Sequence, residues 1–251
     1  MLFKSAPRFW EKVSFSQSPI QALLGRTISV LLLPLSWIYG LIVWLKQSII
    51  DSGIATLFKI HQPVPVPIII VGNIRVGGTG KTPLVIALAS ELVRLGFKPG
   101  VISRGYQPNG GAKLSAPTAV GFDSDPMAVG DEPVLMARCI EDGIPIWVYP
   151  KRKACLDALL QSHPEVNVII SDDGLQHAAL VRWPAREGGR DLELVVEDER
   201  GIGNGRLLPA GPLRESANRE RDATIVIIDK PANNQILSNP KQFQLKPVID
   251  S

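Results

Sequence analysis

No charged residue interrupts the stretch from Thr27 to Leu45. Its apolar run, Ile28-Ser29-Val30-Leu31-Leu32-Leu33-Pro34-Leu35-Ser36-Trp37-Ile38-Tyr39-Gly40-Leu41-Ile42-Val43-Trp44-Leu45, predicts a hydrophobic helix. At a rise of about 1.5 Å per residue the run is roughly 27 Å long, close to the hydrocarbon thickness of a bilayer. The run is too long for a signal peptide, and no small-x-small cleavage site follows it. Pro34 and Gly40 are candidate breaks, and Trp37, Tyr39 and Trp44 suit the headgroup level. The expectation is an N-terminal membrane-anchor helix that lies in the interface with both flanks cytoplasmic, peripheral or monotopic, with a buried core helix as the competing reading.

Beyond residue 62 the period changes. Short apolar runs at Ile68–Val71, Gly100–Ser103, Ile144–Tyr149, Val166–Ser171, Leu192–Glu197 and Thr224–Asp229 read as strands buried on both faces. Helical patterns separate several of them. Thr82–Leu95 carries Leu84, Val85, Leu88, Leu92 and Leu95 on one side, followed by Asp131–Glu141 and Lys151–Gln161. Such alternation predicts an α/β fold, a mostly parallel sheet flanked by helices, with ligands at the carboxyl ends of the strands. The closely spaced prolines of His61-Gln62-Pro63-Val64-Pro65-Val66-Pro67 forbid helix and place a boundary there. The domains expected are 1–62, a membrane-associated segment with its linker, and 63–251, the α/β domain.

Composition narrows the function classes. With 251 residues, 45% hydrophobic and 20% charged, the chain can bury a sizeable core. Net charge is +3, but residues 1–62 hold Lys4, Arg8, Lys12, Arg26, Lys46 and Lys59 against Glu11 and Asp51, which leaves the remainder at −1. The body thus has no electrostatic footprint for nucleic acid, whereas the basic leader fits anionic lipid. Cys139 and Cys155 lie in helical patterns without any C-x-x-C or Cys/His cluster, and are expected to be buried reduced thiols.

The chemistry begins where the first strand ends. Val71-Gly72-Asn73-Ile74-Arg75-Val76-Gly77-Gly78-Thr79-Gly80-Lys81-Thr82 sits between a strand and a helix, the setting of a nucleoside-triphosphate P-loop. Glycines let successive N–H groups face the phosphates, the helix N-terminus adds positive potential, Lys81 reaches the β- and γ-phosphates, and the Thr82 hydroxyl ligates Mg2+. Arg75, Val76, Gly77, Gly78, Thr79, Gly80, Lys81 and Thr82 are therefore the ATP-binding candidates. Arg75 stands where G-x-x-x-x-G-K-[ST] has its first glycine. An export of this loop across a membrane would remove it from ATP, a further argument for an interfacial anchor.

A second element, Val166-Asn167-Val168-Ile169-Ile170-Ser171-Asp172-Asp173-Gly174-Leu175-Gln176-His177, ends a buried strand in a carboxylate. A P-loop enzyme needs such a group opposite its Thr hydroxyl to hold magnesium or its waters, although Asp-Asp-Gly after a strand is also a common turn. Asp172, Asp173 and His177 are the metal-shell candidates beside Thr82.

Together with Ser103-Arg104-Gly105-Tyr106, Gly130-Asp131-Glu132-Pro133 and Gly203-Asn204-Gly205-Arg206-Leu207-Leu208-Pro209-Ala210-Gly211-Pro212-Leu213-Arg214-Glu215, these motifs closely resemble the tetraacyldisaccharide 4'-kinase family, the lipid A 4'-kinases. The resemblance runs from about residue 25 to about 230. It implies a magnesium-dependent kinase on the cytoplasmic face of the inner membrane. Such an enzyme moves the ATP γ-phosphoryl group to the 4'-hydroxyl of an acylated glucosamine disaccharide 1-phosphate, with Asp131 as base and Lys81 as the catalytic cation. The competing role for Asp131 is a helix N-cap. Arg104, Arg152 and Arg214 are cationic candidates for the substrate phosphate, each with an ordinary surface role as its alternative. The resemblance also implies that the stretch 182–190 is longer than usual and that the family continues past Ser251, so a C-terminally truncated chain is expected. A membrane-associated regulatory ATPase or GTPase and a non-catalytic nucleotide-binding fragment are the alternatives. No Asn-Lys-x-Asp guanine motif occurs.

Overall fold

The computed structural model describes residues 7, 10, 19–51, 62–105, 114–140, 143–176, 180, 181, 189–198, 200–218, 224–228 and 242–245. In chain order the elements are α1 (Pro19–Leu31), α2 (Leu33–Asp51), β1 (Gln62–Pro63), β2 (Ile68–Gly72), α3 (Lys81–Arg94), β3 (Pro99–Ser103), β4 (Thr118–Val120) and α4 (Pro126–Val129). They continue with α5 (Asp131–Cys139), β5 (Ile146–Val148), α6 (Arg152–Ser162), β6 (Val168–Asp172), β7 (Leu180–Val181), β8 (Leu192–Glu197), β9 (Thr224–Ile228) and β10 (Gln242–Leu245). The chain divides into two compact units. One comprises residues 1–55, 73–79 and 195–251; the other comprises 56–72 and 80–194.

The 56–72/80–194 unit is built on a sheet of order β2-β6-β3-β5-β4, parallel except for the antiparallel edge strand β4. Every residue of β2, β3 and β6 is buried, which explains why these strands read as continuous apolar runs. Ile68, Ile70, Ile102 and Ile169 pack with Cys155, Leu156 and Leu159 of α6. Gly100 permits this closeness, because a Cβ there would stand 2.9 Å from Leu159 Cδ2. The proline-rich linker forms no helix over residues 62–67: β1 within it pairs in parallel with β7, and the chain bends at Pro65 and Val66 before β2. Arg190 donates to the Val64 carbonyl, and buried Asp191 accepts the Ile68 N–H at 3.1 Å, so the end of the long 182–190 stretch fastens the start of β2.

Several expectations are corrected in this unit. Leu95 lies past the end of α3 and is 59% exposed, and Ala89 takes the buried place on that helix. Edge strand β4 and the short α4 were not anticipated, because three polar-flanked residues carry little periodicity. Asp125, not Asp131, is the side-chain cap here, accepting from the Met127 N–H at 2.9 Å. Gly130, at φ 101°, occupies the N-cap of α5, so Asp131 is its first residue rather than its cap. Cys155 is buried as expected, but Cys139 is exposed.

In the other unit, α1 and α2 replace the single anchor helix. The break falls at Leu32, and Gly40 does not interrupt α2; its Cβ would stand 2.9 Å from Leu207 Cδ1, which explains the glycine by packing. No single helix among the described residues is long and apolar enough to cross a membrane. Gly25–Leu31 and Leu33–Ile49, bent by 53°, meet that test only as a pair, by length and composition. The polarity of the pair is inverted. Ser29 Oγ donates to the Ala210 carbonyl at 2.5 Å, Ser36 Oγ to that of Leu207 at 2.9 Å, and Tyr39 to that of Arg214 at 2.8 Å. Leu35, Trp37, Ile38, Leu41, Ile42 and Trp44 face outward, Trp37 being 70% exposed. Strands β9 and β10 pair in parallel in the same unit.

Candidate active site

The carboxyl ends of β2, β6 and β3 lie side by side, since Val71 pairs with Asp172 and Ile102 with Ser171. Asp172 ends the middle strand, and its carboxylate is 1% exposed. Its Oδ2 accepts the Ser103 hydroxyl at 3.0 Å, while Oδ1 has no hydrogen-bond partner. Burial raises the Asp172 pKa above the usual carboxylate range; Asp173 adds to this, whereas Arg152, Lys81 and the Ser103 hydrogen bond oppose it. A buried acceptor without a partner costs about 1–3 kcal/mol, and more when charged. That unfilled valence fits a divalent cation.

Asp173 follows at φ 46°, the left-handed region that non-glycine residues seldom adopt. The turn that holds it there returns the Gly174 N–H to the Val71 carbonyl at 3.1 Å. Gly72 must be glycine at this point, because a Cβ would lie 2.5 Å from Leu175 Cβ. The Asp173 carboxylate stands 3.4 Å from Lys81 Nζ. Lys81 and buried Thr82 open α3, whose N-cap Gly80 is left-handed at φ 77°. Glycine is the residue that makes this turn without strain.

Arg152 is 1% exposed and donates to the backbone carbonyls of Asp172 and Asp173. The sequence offered it as a cation for substrate phosphate or as an ordinary surface arginine; its burial corrects the surface role, and its hydrogen bonds brace the turn after β6. Burial lowers its pKa, and Asp172 opposes that shift. Arg104 is exposed just past β3. Asp131 is exposed at the start of α5, and Glu132 beside it belongs to the same electrostatic cluster: partial desolvation raises its pKa, as do Asp172, Asp173 and Asp131, while Lys81 lowers it. The sequence reading missed Glu132 and Ser103. Both sat inside quoted motifs, but only the fold brings α5 and β3 to the end of β6. His177 lies outside the described residues.

Residues 73–79 of the loop belong to the other unit. Arg75 is 3% exposed, and Nη1 donates to the carbonyls of Gly201 at 3.2 Å and Arg200 at 3.4 Å. Its side chain turns away into the 200–203 segment, which explains how an arginine replaces the first glycine of the pattern. The Val76 N–H donates to the Pro212 carbonyl at 2.9 Å, and the half-buried Arg214 gives its N–H to the Ile74 carbonyl at 2.7 Å. The long motif from Gly203 to Glu215 is thereby the platform on which both this loop and α1–α2 rest. Arg200, also missed, donates to the Gly78 carbonyl at 2.5 Å and is held by Asp198.

Among the described residues no three His, Cys, Asp or Glu side chains form a metal cluster. Magnesium does not require one, since it commonly takes one or two carboxylates and draws its remaining ligands from phosphates and water. The unfilled Asp172 oxygen and the Thr82 hydroxyl have the chemistry for it.

Residues 28–250 match the family model of the tetraacyldisaccharide-1-P 4'-kinase, LpxK. The chain is 60% identical over 223 residues to the tetraacyldisaccharide 4'-kinase of Polynucleobacter necessarius, covering 89% of this chain and 57% of that protein. It is 47% identical over 204 residues to the enzyme of the same name from Bordetella parapertussis, covering 81% and 54%. Among solved structures it resembles LpxK from Aquifex aeolicus in complex with ATP, with a TM-score of 0.65 and 31% identity over 80% of this chain and 58% of that one. The chain spans little more than half the length of these relatives. It belongs to the tetraacyldisaccharide-1-P 4'-kinase family.

Proposed function

We propose that the chain binds ATP and transfers its γ-phosphoryl group to the 4'-hydroxyl of tetraacyldisaccharide 1-phosphate, a step of lipid A biosynthesis. The observation that carries this reading is the buried Asp172 carboxylate with its unfilled Oδ1, one strand from the β2 that leads into the Lys81–Thr82 loop. Family membership and the ATP-bound neighbour supply the substrate class.

Phosphoryl transfer asks mainly for positioning and charge neutralisation. The N-terminus of α3 offers its free N–H groups and positive end to the phosphates. Lys81, steered by Asp173, supplies a cation to the β- and γ-oxygens. Thr82 and Asp172 would hold Mg2+, with Asp173 completing or orienting its shell, and a bound Mg2+ would neutralise charge on the phosphate oxygens. Asp131, exposed and free of a capping duty, takes the proton of the sugar hydroxyl. Arg104 and Arg214 are the cations proposed for the substrate's phosphate.

The inverted polarity of α1–α2 supports a monotopic seat on the cytoplasmic face of the inner membrane. Its hydroxyls are spent on the protein while a broad apolar face of Leu, Ile and Trp is left outward, an arrangement that gains free energy in an acyl layer. A lipid acceptor could then keep its acyl chains in the bilayer while its sugar is phosphorylated.

The test uses purified chain in detergent with γ-labelled ATP, Mg2+ and acylated disaccharide 1-phosphate. Wild type should label the disaccharide, and Lys81→Ala and Thr82→Ala should remove most of that label. Undiminished transfer in both variants would refute the P-loop roles.

A further inference from the structure

Arg200 has no place in the motif chemistry above, yet its side chain lies against the phosphate loop. Its Nη2 donates to the Gly78 carbonyl, and a Cβ on Gly77, itself at φ 119°, would stand 3.5 Å from Nη1. The guanidinium is fixed by Asp198, whose Oδ2 accepts from Nε at 2.9 Å and from Nη2, while Oδ1 caps the Arg200 N–H at 2.9 Å. Arg200 is thus a rigid fork with one side on a carboxylate and one N–H on a loop carbonyl, a use of planar bidentate geometry that lysine cannot reproduce.

A trans peptide points its C=O and the following N–H in opposite directions. The sole cis bond among the described residues is Leu208–Pro209, so the 78–79 peptide is trans. Whatever holds the Gly78 oxygen on one side aims the Thr79 N–H to the other. The preceding peptide has a similar restraint, because Asn73 Nδ2 donates to the Gly77 carbonyl at 3.4 Å. A phosphate cradle works by preorganised N–H groups, and glycines at 77 and 78 leave these peptides free to rotate unless something fixes them.

We propose that Arg200, locked on Asp198, is a positioning residue of the phosphate loop: by pinning the Gly78 carbonyl outward it turns the Thr79 N–H toward the bound phosphates. The inference rests on the nucleotide-binding reading of that loop. It predicts a loss shared by ADP and ATP, because the cradle grips phosphate common to both, whereas an arginine reaching the γ-phosphate would matter for ATP alone.

Calorimetric titration of the full chain with Mg-ADP and Mg-ATP separates the cases, with melting temperature recorded alongside. Arg200→Ala should weaken both nucleotides by a similar factor, roughly tenfold or more, with a melting temperature within about 3 °C of wild type. Asp198→Asn should weaken both by a smaller factor, and Arg200→Lys should recover part of the loss by restoring one donor. Wild-type affinity for both nucleotides in Arg200→Ala overturns the proposal, as does a loss confined to ATP. If Arg200→Ala fails to fold, Asp198→Asn carries the same decision, and unchanged affinities there overturn it. A wild-type chain that binds neither nucleotide instead overturns the nucleotide-binding reading itself.

Discussion

Asp131 separates two roles that its sequence left in competition. As the first residue of α5 behind Gly130 it makes no capping hydrogen bond, so its structural contribution is limited to the favourable end of the helix dipole, about 0.3–1 kcal/mol. Asp131→Asn should therefore leave melting temperature and ATP affinity close to wild type while lowering turnover about 10²–10⁴-fold. Full turnover in that variant, measured in the same phosphoryl-transfer assay, would return Asp131 to a surface role. Cys155 gives a second prediction. Burial pushes its thiol from 9.0 up to about 12, so the folded state keeps a proton that the unfolded chain releases. The thiol's contribution to stability is complete below about pH 9 and is lost as pH rises toward about 12. Unfolding midpoints from pH 8 to 11 should fall less steeply for Cys155→Ala than for wild type, and a thiol reagent at pH 8 should modify only Cys139 in the native protein. Rapid labelling of both would contradict the burial. The placement of Lys81 and Thr82 at the start of α3 and of Asp172 at the end of β6 was legible because it follows from local order along the chain. Glu132, Ser103 and Arg200 were not, since each matters through a neighbour contributed by a distant segment.

Strands β2, β3 and β6 were legible to within two residues because a sheet covered on both faces demands an unbroken apolar run. The α1–α2 pair was legible as an apolar segment but not as two helices. Hydropathy reports composition, whereas the bend at Leu32 and the orientation of Ser29, Ser36 and Tyr39 depend on carbonyls about 170 residues or more away. Those contacts predict which face meets lipid. Ile38→Glu combined with Ile42→Glu, on the outward face, should weaken sedimentation with anionic phospholipid vesicles by roughly tenfold or more without lowering the melting temperature. Ser36→Val, on the inward face, should do the reverse, because it removes the hydroxyl's hydrogen bond to the Leu207 carbonyl, a loss of about 0.5–1.5 kcal/mol. Undiminished vesicle binding in the double variant would place the membrane contact elsewhere.

At the scale of the whole molecule, the long motif from Gly203 to Glu215 explains itself only in three dimensions. Its carbonyls receive the hydroxyls of α1 and α2, and Pro212 and Arg214 hold Val76 and Ile74 at the entry to the phosphate loop. The sequence showed the motif and a family resemblance but no physical reason for it, since main-chain acceptors leave no signature in residue type. The central claim is a specific transfer, and its most direct measurement is the position of the label. Wild-type chain in detergent, given γ-labelled ATP, Mg2+ and tetraacyldisaccharide 1-phosphate, should yield a product labelled on the 4'-oxygen. Chelating the magnesium should abolish the label, and an acceptor whose 4'-hydroxyl is blocked should receive none. Label released only as inorganic phosphate, or transferred equally to the blocked acceptor, would contradict it.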